Sequence, residues 1–170
     1  MVKEVIINDF QKVRVWIGEL PFECICSDLS DKELTSYEKY AVELKNGIKC
    51  NNNYALLGGL FKRDTSCKNI DVIIKSGSSF QNEYHSDYSA LNDTPTAGIN
   101  SEIIDWVNSF EICTEFSGEL IINCAAFAPV GSSRSCFDLA YKLLISIIDC
   151  QNNKLGFNVF TERCRNILNN

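Results

Sequence analysis

The run FSGELIINCAAFA at 116–128, continuing as PVGSSRS at 129–135 and CFDLAYKLLISIIDC at 136–150, decides the fold. The first part predicts a long buried strand. Pro129 and Gly131 then mark a turn. In the last part Phe137, Ala140, Leu143, Leu144, Ile147 and Ile148 recur at the spacing that puts side chains on one face of a helix, and Leu139 and Ile145 widen that stripe. Such a helix belongs in a core. Ser132 or Ser133 is suited to cap it, because a hydroxyl accepts from the backbone N–H groups two or three residues on. A strand that feeds through Gly131-Ser132-Ser133-Arg134 into a helix N-terminus is also a place where backbone N–H groups and the helix dipole favour an anion. Ser132, Ser133 and Arg134 are therefore candidate binding residues. Simple capping is the alternative, and the loop lacks the glycine and lysine spacing of a nucleotide-binding loop.

The chain has 170 residues, 45% of them hydrophobic, and only three prolines, enough to bury a full core in one domain. Its formal net charge of −6 argues against a broad nucleic-acid or acidic-membrane surface, which needs clustered Lys and Arg. It suits a basic partner. The nine cysteines are odd in number and fall mostly within apolar stretches, and no secretory segment opens the chain. The expectation is reduced thiols packed as small hydrophobes in a cytoplasmic protein, with no membrane span.

Outside the central run, residues 3–8, 12–18, 20–26, 54–61 and 70–75 read as strands. Gly58 and Gly59 suggest a bulge or a close backbone approach within one of them. Ser30 to Glu33 has the capping-box pattern, and Leu34, Tyr37, Tyr40, Ala41 and Leu44 follow at helical spacing up to Gly47, predicting a surface helix near 31–45. Residues 62–69 form a charged loop, and 76–99 a long polar one of the kind that is functional or mobile. Asn100 or Ser101 caps a short helix with Ile103, Ile104, Val107 and Phe110 facing inward. A last strand is expected at Gly156–Phe160, with Thr161 capping a terminal helix.

The sequence is poor in catalytic chemistry. His85 is the only histidine, so any triad or imidazole base must use it, and a pairing with Cys113 or Cys136 has no local signature. In its polar loop it reads as a solvated residue or a binding contact. Cys24 and Cys26 share a strand face, but no second pair completes a zinc site, so neither metal nor cofactor is expected. Asp105, Glu111 and Glu115 read as a solvated acidic face.

Residues 69–150 resemble domain IV of translation elongation factor G. Ile70–Ile74 leads into Ser76-Gly77-Ser78-Ser79-Phe80, as a strand leads into a Gly-Ser-Gly-Phe-type turn in that family. Gly98 and Ile103–Val107 fall where the family has a helix. Phe127 to Phe137, with Ala140 on the next turn, parallels the family's Tyr-His-x-Val-Asp-Ser-Ser-x-x-Ala-Phe motif, although Ala128 stands for its His and Gly131 for its Asp. The family's glycine-rich basic stretch has no counterpart here, unless Gly58 and Gly59 with Lys62 and Arg63 are its remnant. The resemblance implies an open sheet with two helices on one face and a left-handed strand-helix-strand crossover, against the usual hand. It does not imply translocase activity, since nothing here corresponds to the GTPase domain.

The resulting expectation is a single α+β domain over 1–170: a two-layer sandwich with a mixed or antiparallel sheet of five to seven strands. The helices near 101–112 and 135–150 cover one face, and the helix near 31–45 lies at an edge or on the other side. The function expected is that of a small non-enzymatic binding protein. By resemblance the partner is ribosomal, met through loops 62–69 and 76–99 with Lys62, Arg63 and His85. By charge it is a basic protein that this chain masks, as an immunity-type antagonist does. An enzyme with a Cys nucleophile is the third reading.

Overall fold

The computed structural model describes residues 1–22, 29–48, 51–74, 82–90, 92–112 and 114–170. In chain order the elements are β1 (Val2–Ile6), β2 (Gln11–Ile17), α1 (Asp31–Leu34), β3 (Glu38–Ile48), β4 (Asn51–Arg63), β5 (Ile70–Ile74), β6 (Asn82–Glu83), β7 (Thr96–Ala97), α2 (Ser101–Ser109), β8 (Gly118–Phe127), α3 (Arg134–Asn152) and α4 (Phe157–Asn169). They form an α+β fold with one eight-stranded sheet in the order β1-β2-β3-β4-β8-β7-β6, β5 pairing with β8 off this path. Every pairing is antiparallel except β5 with β8, and the crossover between those two strands contains α2. The strands of the first 63 residues therefore belong to the same sheet as the central run.

The central run folds as its pattern dictates. β8 is buried along almost its whole length, and α3 buries Phe137, Ala140, Leu143, Leu144, Ile147 and Ile148 against the sheet. Each such side chain contributes about 1.5–3 kcal/mol by leaving water. All the helical core residues, from α2, α3 and α4 alike, share one cluster with Val13, Val15, Tyr40, Val42, Leu44, Leu57, Leu120 and Ile122 of the sheet. The opposite face, here called the outer face, carries a smaller cluster around Trp16, Ala41, Tyr54, Leu56, Cys124 and Tyr88, without a helical residue.

Four expectations are corrected, the first being the strand count: the sheet has eight strands rather than five to seven, because the stretch expected as a loop at 76–99 contributes the two-residue strands β6 and β7. The helix over 31–45 is a single turn, α1, whose capping box is formed as expected, Ser30 accepting from the Glu33 N–H and Glu33 from the Ser30 N–H. From Glu38 onward the chain is β3. Tyr40, Val42 and Leu44 face the helices while Ala41 and Glu43 face outward, a period of two that lay beneath the helical spacing. Pairing with β2 on one side and β4 on the other gives those residues more than an isolated surface helix offers. The strand expected at Gly156–Phe160 is the start of α4, Gly156 standing as its N-cap and Phe160, Cys164 and Leu168 facing inward. Thr161 lies within that helix. The strand expected at 20–26 is loop over residues 20–22, and its remainder, with Cys24 and Cys26, lies outside the described residues, as do residues 76–81 and Cys113.

Gly58 and Gly59 mark a bulge, as their position suggested. Gly58 pairs with Cys124 and Gly59 with Ile122, so Asn123 is the extra residue on β8. A Cβ on Gly59 would stand 2.1 Å from the Ile121 carbonyl oxygen, and one on Gly58 2.6 Å from the Ala41 Cβ, so only glycine allows this approach. The bulge re-aims β8 and sets Asn123 in the site described next.

Candidate functional site: the outer face of the sheet

Pairing register brings Glu4 of β1, Arg14 of β2 and Glu43 of β3 into one row across three strands. The Arg14 guanidinium lies 3.1 Å from the Glu43 carboxylate, 2.8 Å from that of Asp87 and 3.8 Å from that of Glu4. It also stacks 4.4 Å from the centroid of the Tyr88 ring. Glu43 is wholly buried and accepts from the Tyr54 hydroxyl at 2.9 Å and from the Ser86 hydroxyl. The Tyr88 hydroxyl donates to Glu4. These contacts hold residues 86–88 on the sheet.

Burial raises the pKa of Glu43 despite the hydrogen bonds from Ser86 and Tyr54 and the charge of Arg14. Burial also works against the charge on Arg14, but Asp87 and Glu43 outweigh it and hold the guanidinium above its ordinary value. The hydrogen bond from Arg14 holds Asp87 below the usual carboxylate range. The phenols of Tyr54, Tyr84 and Tyr88 are all pushed up by burial first and neighbouring carboxylates second. The Tyr54 and Tyr88 phenols and the Glu4, Glu43 and Asp87 carboxylates of the network are aimed at one another and at Arg14.

Beside this network, where β2 ends and β3 begins, lies an open cleft of about 1290 Å³. Its lining brings Leu20, Pro21 and Phe22 together with Leu34, Thr35, Tyr37, Leu60 and Asn123, and at the end of the sheet it reaches Tyr40 of β3 and Gln151 of α3. Phe22 packs edge-on against Tyr84 at 5.2 Å, which ties the cleft to the 84–88 segment. Among the described residues the charged lining comprises Glu19, Asp31, Glu38 and Lys39; Glu19 meets the Met1 ammonium at 2.6 Å and Glu38 accepts from the Tyr40 hydroxyl. Asn123 is 5% exposed, and its Oδ1 has no hydrogen-bond partner. A buried carboxamide oxygen without a donor costs about 1–3 kcal/mol.

The residues singled out from the sequence do not converge. Lys62 and Arg63 are exposed at the end of β4, with the Lys62 ammonium 5.8 Å from the centroid of the Tyr37 ring. His85 is 85% exposed, 4.0 Å from the Glu83 carboxylate. Ser132, Ser133 and Arg134 lie near Tyr54, about 27 Å from Lys62 along eight residues of extended strand. Ser132 donates to the Tyr54 carbonyl and accepts from the Ala128 N–H. Ser133 caps α3 by accepting from the Cys136 N–H. Arg134 donates to the Ser109 hydroxyl and stacks on Phe110.

The N–H groups of the intervening turn are already engaged. Asp93, 7% exposed, accepts from Val130 at 3.2 Å and Gly131 at 2.7 Å, so a carboxylate of the protein sits where an anion would bind. Glu43 and Arg14 were missed in the sequence, yet each was visible as a lone charge between two apolar strand residues, Val42-Glu43-Leu44 and Val13-Arg14-Val15.

Among the described residues no cluster of His, Cys, Asp and Glu can hold a metal ion, and no helix is long and apolar enough to cross a membrane. No family model, no curated protein and no solved structure matches the chain.

Proposed function

We propose that this chain is a small non-catalytic binding protein that receives a basic segment of a protein partner in the cleft on its outer face. The observation that carries the reading is the cleft's lining: among the described residues it combines apolar side chains with three carboxylates and one lysine. Apolar surface supplies affinity, and the acidic rim steers and selects a positively charged partner. A net charge of −6 extends the same field beyond the cleft.

The Cys nucleophile reading finds no support at the thiols whose ionisation is perturbed. Burial pushes Cys136 and Cys164 up to about 12 and raises Cys150, and Cys67 is raised as well, by desolvation and by Asp64. A nucleophile needs the opposite shift. The ribosome-associated reading rests on a separate observation, the exposure of both Lys62 and Arg63 beside the 64–69 turn. Those two cations suit a contact with RNA phosphate beside the cleft, since Lys62 lies over the Tyr37 ring of its lining.

The test is to recover the partner from native-host extract and measure its association with purified chain at two salt concentrations. The cleft reading predicts a basic protein whose association slows about tenfold or more in Asp31→Lys and on raising salt, with Lys62→Ala and Arg63→Ala without effect. Loss on Lys62→Ala and Arg63→Ala, with Asp31→Lys neutral, favours the ribosomal reading. A partner indifferent to all three variants contradicts both.

A further inference from the structure

Exposed apolar side chains gather in the first ten residues. Among the described residues seven large apolar side chains are exposed, and four of them, Met1, Val2, Ile6 and Phe10, lie on β1 or beside its ends. The other three, Ile112, Val130 and Leu155, are scattered singly, as is ordinary on a protein surface. β1 is the end strand of the sheet and, among the described residues, pairs with β2 alone. It has neither a bulge nor a proline, two of the devices that blunt a sheet edge. Its charges are engaged elsewhere. Lys3 lies over the Phe157 ring, and Glu4 accepts from the Tyr88 hydroxyl beside Arg14.

Hydrogen bonding fixes which backbone groups point outward. The Met1 nitrogen donates to the Ile17 carbonyl at 2.9 Å and the Ile17 N–H to the Met1 carbonyl at 2.8 Å, so these two residues exchange both bonds. In an antiparallel ladder such pairs alternate with pairs that exchange none. The register therefore turns the N–H and C=O groups of Lys3 and Val5 toward β2, and those of Val2, Glu4 and Ile6 away from it. The side chains of those last three share the outer face, in register with Trp16, Arg14 and Lys12.

This edge is its own complement. Val2, Glu4 and Ile6 keep the order apolar, acid, apolar when the strand is reversed. A twofold axis through Glu4, perpendicular to the sheet, sets each Val2 against the Ile6 of a second copy and brings every outward N–H to an outward C=O. We propose that the chain forms a homodimer by antiparallel pairing of β1 with β1 of a second copy, which joins the two sheets into one. Val2 and Ile6, 50% and 58% exposed, then cover each other on the outer face. The axis also sets Met1 of one copy near the β1–β2 turn of the other, where Phe10 stands. A strand of five residues buries little area, so the association is weak and reversible. The two Glu4 carboxylates face each other across the axis and oppose it, each offset by its own Arg14 at 3.8 Å. The dimer does not depend on what the outer-face cleft binds.

The test is sedimentation equilibrium of the full chain from about 10 μM to about 1 mM, with amide hydrogen exchange followed over the same range. A reversible monomer–dimer equilibrium is expected. The Glu4 and Ile6 amides should exchange more slowly as concentration rises, while those of Lys3 and Val5, already bonded to β2, stay unchanged. Ile6→Lys should weaken the dimer about tenfold or more with Tm unchanged. Val130→Lys, at an exposed apolar position elsewhere, should leave it as it is. Glu4→Gln keeps an acceptor for the Tyr88 hydroxyl and removes the facing charges, so it should tighten the dimer about two- to fivefold. Four results would overturn the proposal: a monomer throughout, concentration-dependent protection confined to other amides, a dimer that survives Ile6→Lys, or one weakened by Glu4→Gln.

Discussion

On the face covered by α2, α3 and α4, strands β2 and β3 present Val13, Val15, Tyr40, Val42 and Leu44. On the outer face the intervening residues of the same strands are Arg14, Trp16, Ala41 and Glu43. One alternating backbone thus supplies an apolar interior on one side and, on the other, a fixed polar network beside an acid-rimmed cleft. The contrast separates two demands. The helical face holds the fold together, since its contribution comes from area removed from water. The outer face keeps a buried Glu43 and an unsatisfied Asn123, which an apolar replacement would avoid. Of the two, Asn123 lines the cleft, and a residue that costs stability at a concave surface is what the proposed binding role calls for.

The largest effect should come from the helical face. Phe137→Ala, at a fully buried position under Trp106, should lower unfolding free energy by about 4 kcal/mol, measured by denaturant titration. Arg14→Met should cost less, about 3 kcal/mol, chiefly because it leaves the Glu43 carboxylate buried without its cation. Equal losses at the two positions would erase the distinction between the faces.

Where the chain passes from β8 into α3, Asp93→Ala should cost about 2 kcal/mol, since it orphans the Val130 and Gly131 N–H groups. It should also create affinity for sulfate at that turn, readable by amide shifts.

The smallest effect at neutral pH is that of Glu43→Gln, under about 1 kcal/mol, because Tyr54 and Ser86 keep a hydrogen-bond partner. Its signature is pH dependence. The folded-state pKa of Glu43 is raised above the ordinary 4.5, so the stability it contributes is full below that value and is lost as pH rises through the folded pKa. Wild type should therefore lose stability relative to Glu43→Gln as pH rises above about 4.5. A difference that grows in favour of wild type over that interval would mean that Arg14 dominates.

The central strand–turn–helix run, α2, β5 and the bulge at Gly58 and Gly59 were legible because local pattern and tertiary environment agree there. β3 was not. Leu34, Tyr37, Tyr40, Ala41 and Leu44 satisfy a helical period, while Tyr40, Val42 and Leu44 satisfy a strand period. Only pairing with β2 and β4, which a local window does not contain, decides between them. α4 misled in the other direction, its short apolar run at Phe157–Phe160 fitting either element. Of the site, Arg14 and Glu43 were visible as isolated charges, but their row with Glu4 depends on strand register. Asn123 stands out as the one polar residue of the run Leu120–Phe127, but its place in the cleft depends on a one-residue shift between β4 and β8.

Asn123→Leu tests the central claim most directly, because it removes the cleft's unsatisfied oxygen at nearly constant volume. Thermal unfolding of the free protein and affinity for the recovered basic partner should be measured together. The account predicts a variant more stable by about 1 kcal/mol that binds at least tenfold more weakly. A variant that is less stable and binds as well as wild type would show that Asn123 serves the fold, and would contradict the assignment of the outer face to binding.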